Sequence, residues 1–99
     1  MKAQVLHKYD PEMKEEVWVT EQEMPDPKLE KSSDVIVKIG AAGVCRTDLH
    51  IIEGVWKHIQ DPDGDLLPCV MGHENAGWIE EVGQDVTNFK KGDPVNLHP

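Results

Sequence analysis

Residues 34–50 read D-V-I-V-K-I-G-A-A-G-V-C-R-T-D-L-H, and this stretch decides the fold. Its first part alternates between the two faces of an extended chain, which predicts a half-buried strand over residues 34–40. One face of that strand carries three β-branched side chains, Val35, Val37 and Ile39. The chain then passes through small residues to Cys45, so we expect a rigid element to deliver this thiol to a defined place.

The segment after Cys45 has apolar residues at helical spacing, which predicts a short helix over residues 47–53 that ends at Gly54. Residues 57–68 are rich in Asp, Pro and Gly, and we predict a loop there. Further strands are predicted at four places: residues 1–7, 15–23, 78–82 and 95–97. Many short strands with a single short helix favour a mainly β fold, a small and partly open β-barrel.

Three side chains near this stretch form a candidate metal site. Cys45 offers a thiolate, His73 an imidazole and Glu74 a carboxylate, and zinc accepts all three kinds of ligand. Their spacing differs from the close Cys or His pairs of a zinc finger, because Cys45 lies far from His73 along the chain. This arrangement favours a site with an open coordination position, which is typical of catalytic zinc.

Length, charge and cysteine content limit the classes of function. A chain of 99 residues can bury the core of one domain, residues 1–99. Its net charge of −9 argues against nucleic acid or an anionic membrane as partner, since both require clustered Lys and Arg. No apolar run approaches the roughly 20 residues that span a bilayer. The two cysteines do not make a disulfide framework and no signal segment is recognisable, so we expect a cytoplasmic location.

Four motifs together carry a family resemblance. G-V-C-R-T-D-L-H begins at Gly43, G-H-E-N-A-G at Gly72, G-W-I-E-E-V-G at Gly77 and F-x-x-G-D-x-V at Phe89. In this order they resemble the N-terminal catalytic half-domain of zinc-dependent medium-chain alcohol dehydrogenases, over nearly the whole chain. The resemblance implies a barrel of the co-chaperonin-like type with one or two short helices.

The same resemblance assigns roles to the candidate ligands. It implies that Cys45 and His73 are the first and second zinc ligands, and that Glu74 lies beside the zinc or enters its coordination sphere during exchange. Zinc would polarise the oxygen of an alcohol. NAD or NADP would accept the hydride as the alcohol becomes an aldehyde or ketone.

Four neighbouring residues also receive roles from the resemblance. Thr47 is expected to hydrogen-bond to the substrate hydroxyl, and His50 to carry the proton toward solvent. Asp48 is expected to orient His73. Arg46 is expected to bind a pyrophosphate oxygen of the cofactor, a role that suits its fork of donors.

The chain departs from the family pattern in what it lacks. The family pattern includes a further Cys or Asp ligand well downstream, a four-cysteine lobe and the G-x-G-x-x-G of a dinucleotide-binding Rossmann domain. The 99 residues contain none of these three features. We therefore expect a fragment or isolated domain of an enzyme roughly three times its length. Alone it should be inactive, because the missing C-terminal domain binds most of the NAD(P). The expected partners are that domain and a small alcohol or aldehyde, and a homo-oligomer is left open.

Each candidate residue also has a structural interpretation. Cys45 could be a small buried hydrophobic residue, and Glu74 could pair with an Arg instead of a metal. Thr47 and Asp48 could cap the predicted helix, since both residue types are favoured there. His50 could be an exposed helix residue.

Two other functions also stay open. One is a zinc-free reductase relative of the same superfamily, and the other is a non-enzymatic barrel that serves binding or assembly. The presence of both Cys45 and His73 argues against the reductase, whose members usually lack these residues. Continuation of the reading frame into Cys-rich and G-x-G-x-x-G sequence would exclude the binding module.

Overall fold

The computed structural model describes residues 1–99, which form six strands and two helices. In chain order these are β1 (Lys2–Leu6), β2 (Val19–Glu23), β3 (Val35–Gly43), α1 (Arg46–Glu53), α2 (Lys57–Gln60), β4 (Cys69–Val70), β5 (Glu74–Val82) and β6 (Pro94–Asn96). The predicted mainly β, partly open fold with one or two short helices is confirmed. Neither helix has the length and apolar character needed to cross a membrane.

The chain divides into two compact units. The first unit comprises Met1–Pro25 with Val44–Gly72, and the second comprises Asp26–Gly43 with His73–Pro99. Each unit contains one antiparallel sheet of three strands.

In the first unit the strand order is β2-β1-β4, so β1 is central. Its residue Val5 pairs with Thr20 of β2 on one side and with Val70 of β4 on the other. Val5 and Leu6 are completely buried, and Ile52 of α1 is 6% exposed. These aliphatic side chains supply the hydrophobic stabilisation of the unit.

In the second unit the strand order is β3-β5-β6, and β3 pairs with β5 with two irregularities in register. The backbones approach closely at Gly77: a Cβ there would lie 2.9 Å from the carbonyl carbon of Lys38 and 3.0 Å from the Cα of Ile39. Only glycine fits this approach. The buried aliphatic residue of this sheet is Ile79, which is 3% exposed.

The strand and helix predicted on either side of Cys45 are both confirmed. β3 includes the predicted residues 35–40 and continues to Gly43. α1 includes the predicted residues 47–53 and ends before Gly54, which has φ 80° and donates its N–H to the carbonyls of His50 and Ile51. Glycine adopts this left-handed conformation without the steric cost that other residues meet.

The strand predicted over residues 15–23 begins only at Val19. A carboxylate oxygen of Asp10 accepts the backbone N–H of Glu15 at 2.8 Å and the indole N–H of Trp18 at 3.0 Å. These side-chain bonds take the place of ladder bonds and fold the preceding segment into a loop. The Glu15 N–H contributes most to the lowered pKa of Asp10, and the Trp18 indole adds to it.

Two further boundaries differ from the prediction. The predicted loop is wrong over Lys57–Gln60, which form α2 because the Trp56 carbonyl accepts the N–H groups of Ile59 and Gln60. β5 begins at Glu74 rather than at residue 78, since residues 74–77 pair with the end of β3.

Candidate functional site

The first turn of α1 is organised by Cys45, which is its N-cap and has extended backbone angles of φ −131° and ψ −178°. The Cys45 Sγ accepts the backbone N–H of Thr47 at 3.3 Å. In return, the Asp48 Oδ2 accepts the backbone N–H of Cys45 at 2.9 Å. This reciprocal pair is a capping box in which sulfur takes the place of the usual hydroxyl.

Asp48 is only 6% exposed, and its interpretation as part of the helix cap is confirmed. Thr47 is not the cap residue, because it lies inside α1 and uses its backbone N–H toward Cys45. Arg46 is exposed at the first position of the helix. The expected action of Asp48 on His73 stays a prediction.

His50 lies near the end of α1 and contacts an aromatic ring. It is half-buried, and its imidazole centroid lies 4.9 Å from the ring centroid of Trp56 at an interplanar angle of 48°. The His50 carbonyl accepts the N–H groups of Gly54 and Val55 at 3.0 and 3.2 Å. The backbone that leads from His50 to Trp56 is therefore fixed by hydrogen bonds, and the two rings are held together.

The other two candidate ligands stand at the start of β5. Gly72 before them has φ 110°, a conformation that glycine adopts readily, and His73 is half-buried. Glu74 is exposed, and its carboxylate lies over Gly43. A Cβ at Gly43 would come within 2.7 Å of the Glu74 Oε2. The absence of a side chain at Gly43 thus leaves room for this carboxylate.

Strand register and chain connectivity relate these residues to Cys45. Gly43 stands opposite Glu74 in the pairing of β3 with β5, and His73 is the residue before Glu74. Cys45 follows Gly43 by two residues, which span at most about 7 Å when fully extended. Cys45 therefore follows, by two residues of chain, the position that pairs with Glu74.

Two further residues of the first unit interact without any signal in the local sequence pattern. The Tyr9 hydroxyl donates to the Asp61 Oδ2 at 2.7 Å, and no local spacing connects two positions so far apart in the chain. Burial, together with the hydrogen bond to Asp61, raises the pKa of Tyr9 to about 12. Burial also raises the pKa of the Cys69 thiol.

Comparison with known families and proteins places this geometry in context. The sequence profile of the alcohol dehydrogenase GroES-like domain matches residues 31–99. A D-arabinose 1-dehydrogenase (NADP(+)) from Saccharolobus solfataricus is 43% identical over 97 residues, which are 98% of this chain and 24% of that protein. An NAD-dependent alcohol dehydrogenase from Sulfurisphaera tokodaii is 44% identical over 80 residues, which are 79% of this chain and 23% of that protein.

A solved structure gives a similar result. The alcohol dehydrogenase of the hyperthermophilic archaeon Aeropyrum pernix matches with a TM-score of 0.83 and 44% sequence identity, over 100% of this chain and 26% of that chain. This chain thus spans about a quarter of the length of the proteins that it matches.

Proposed function

Because this chain belongs to the alcohol dehydrogenase GroES-like domain family, we propose that it is the catalytic part of an enzyme that oxidises alcohols to aldehydes or ketones with NAD or NADP. Relatives that match nearly the whole chain, or most of it, are named as dehydrogenases. The single observation that carries the proposal is the strand register between β3 and β5. It sets Glu74 opposite Gly43, and Gly43 lies two residues before Cys45 in the chain.

Cys45, His73 and Glu74 are the residues that would hold zinc. Their sulfur, nitrogen and oxygen donors suit this ion, so the residues present fit the metal. The capping box supports the assignment of Cys45, because it fixes the backbone that carries the sulfur and places a helix N-terminus beside it. Zinc in such a site supplies a Lewis acid that polarises an alcohol oxygen.

The other residues of α1 bind substrate and move the proton. The Thr47 hydroxyl would accept a hydrogen bond from the hydroxyl of the bound alcohol, and His50 would carry the released proton toward solvent. Asp48 would hold both the Cys45 backbone and the orientation of His73. These roles require the first turns of α1 to stay rigid.

Cofactor binding requires more than this chain. Arg46 is exposed at the start of α1 and would bind one pyrophosphate oxygen of NAD(P). The G-x-G-x-x-G fingerprint that binds most of a dinucleotide does not occur in the 99 residues, so a separate Rossmann domain would supply it. Residues 1–99 would then act as the catalytic domain only, and the chain alone would not turn over.

The metal proposal is tested by zinc affinity. We expect the 99-residue chain to bind about one zinc, and His73→Ala to lower the affinity more than about tenfold, since even the loss of a residue that only orients a ligand costs about 10–100-fold. The affinity is measured by competition with a chelating dye. His58→Ala is the matched control, because His58 is an exposed histidine of α2.

Three outcomes of the titration differ in meaning. Loss of affinity in His73→Ala with none in His58→Ala supports the site. Equal affinity in all three proteins contradicts it. No binding by the unchanged chain also contradicts the proposal that these residues form a zinc site by themselves.

A further inference from the structure

Tyr9 occupies the junction between the two helices of the first unit. Its ring lies against the turn after α1: a Cβ at Gly54 would come 3.2–3.4 Å from three Tyr9 atoms. The Lys57 ammonium of α2 lies 6.0 Å from the ring centroid, at the outer limit for a cation–π contact. Tyr9 thus touches the end of one helix and the start of the next.

Asp61 ties this tyrosine to the segment that follows α2. One oxygen of its carboxylate accepts the Tyr9 hydroxyl at 2.7 Å, and the other accepts the backbone N–H of Leu66 at 2.9 Å. The Asp61 backbone N–H donates to the Lys57 carbonyl at 2.8 Å and closes the last turn of α2. A single aspartate therefore joins the segment after β1, the end of α2 and the loop that follows α2.

The position of Trp56 depends on the same segment. Trp56 is the N-cap of α2, and its carbonyl accepts the N–H groups of Ile59 and Gln60 at 2.9 Å each. A helix of only four residues is not stable by itself, so tertiary contacts must hold it in place. The Tyr9–Asp61 hydrogen bond is such a contact, since it anchors the residue that ends α2.

Trp56 in turn contacts His50, with 4.9 Å between ring centroids. We propose that Tyr9 and Asp61 are positioning residues, which hold the turn from α1 to α2 so that Trp56 keeps the His50 imidazole in one orientation for proton transfer. This inference rests on the proposed role of His50 as a proton carrier. Neither Tyr9 nor Asp61 needs to contact the substrate for this role.

The charge states of the pair suit a permanent anchor. Burial and the bond to Asp61 raise the pKa of Tyr9 to about 12, and the Tyr9 hydroxyl is the largest cause of the lowered pKa of Asp61. A tyrosine pKa of about 12 keeps the phenol protonated beyond pH 10. Its stabilising contribution is complete below the usual pKa of about 10 and is lost as the pH rises from there to about 12. A lowered aspartate pKa keeps the carboxylate charged below its usual pKa of about 3.9, so its stabilising contribution is complete above that value and is lost only as the pH falls further. The hydrogen bond is therefore intact throughout the neutral range.

The test follows the His50 side chain by NMR in the 99-residue chain, because a nearby indole shifts the imidazole proton resonances. Trp56→Ala gives the resonance positions without the ring contact. We expect Tyr9→Phe, which removes only the hydroxyl, to shift the His50 resonances toward those positions. Ser32→Ala, which removes a side-chain hydrogen bond to Asp85 in the second unit, should leave them unchanged.

A second variant separates positioning from general destabilisation. Asp61→Ala should shift the His50 resonances in the same direction, and the double variant should shift them no further than the larger single effect, since both changes break one connection. One result would overturn the inference: in Tyr9→Phe the unfolding temperature falls but the His50 resonances do not move. Tyr9 would then be a purely stabilising residue.

This measurement needs neither zinc nor cofactor, so it can be separated from the proposed function. If His50→Ala left the turnover of a complete enzyme unchanged, the role of His50 as proton carrier would fail. The Tyr9–Asp61 effect on the His50 resonances would then still stand as a structural result.

Discussion

At the scale of single residues, Cys45 shows how one side chain can serve both local folding and chemistry. Its sulfur accepts a helix N–H, and its own N–H is held by Asp48. The sequence indicated Asp48 as a candidate cap residue, but it did not indicate that the sulfur of Cys45 takes the place of the usual Ser or Thr hydroxyl. The contact of His50 with Trp56 could not be predicted from sequence, because it depends on a four-residue helix with no sequence signal.

The capping box leads to a prediction for Asp48. Asp48→Ala removes the carboxylate that accepts the Cys45 N–H, and we expect it to lower the free energy of unfolding by about 0.5–2 kcal/mol, the usual effect of losing a helix cap. Asp48→Asn keeps a carbonyl oxygen in a similar position, so it should lower the free energy of unfolding by less than Asp48→Ala does. Urea unfolding at neutral pH measures both. Equal losses in the two variants would mean that the charge of Asp48, and not its acceptor oxygen, stabilises the turn.

At the scale of elements, the alternation of residues 34–40 was enough to predict β3, and helical spacing was enough to predict α1. Local patterns succeed here because each element presents one apolar face. They failed before Val19, where the Asp10 carboxylate replaces strand bonds with side-chain bonds. They also failed to locate the start of β5, because the pairing of residues 74–77 with β3 is a long-range property.

The close approach of β3 and β5 gives a prediction for Gly77. In Gly77→Ala the new methyl group would collide with the Lys38 carbonyl, so the strands must separate, and we expect a loss of about 1–3 kcal/mol in the free energy of unfolding or more. Amide hydrogen exchange should rise along β3 and β5, which lie on either side of the collision.

The matched control for this change is Gly64→Ala. Gly64 has φ 74°, and no atom lies within 4 Å of the position that an added methyl group would take, so alanine there meets backbone strain without a collision. It should leave hydrogen exchange in β3 and β5 unchanged. Faster exchange in those strands in both variants would show that Gly77→Ala acts by general destabilisation.

At the scale of the whole molecule, the buried apolar core is small and the net charge is strongly negative. The buried hydrophobic residues are Val5, Leu6, Ile52 and Ile79. The chain carries 19 acidic and 10 basic residues. Composition alone gives the net charge of −9. It could not tell which aliphatic residues are buried, because the strand partners that cover them come from distant parts of the sequence.

The excess of negative charge over a small buried core predicts that salt stabilises the fold. Repulsion within a net charge of −9 disfavours the compact state, and raising NaCl from about 0.01 M to about 1 M shortens the Debye length from about 30 Å to about 3 Å. We expect the unfolding temperature at pH 7 to rise by several degrees, since 1 kcal/mol corresponds to about 4–8 °C for a domain of this size. Calorimetry measures the shift.

Near pH 4.8, the isoelectric point of the sequence, the repulsion is relieved and the shift should largely disappear. An equal rise at both pH values would instead attribute the effect to strengthened apolar burial, because that contribution does not depend on net charge.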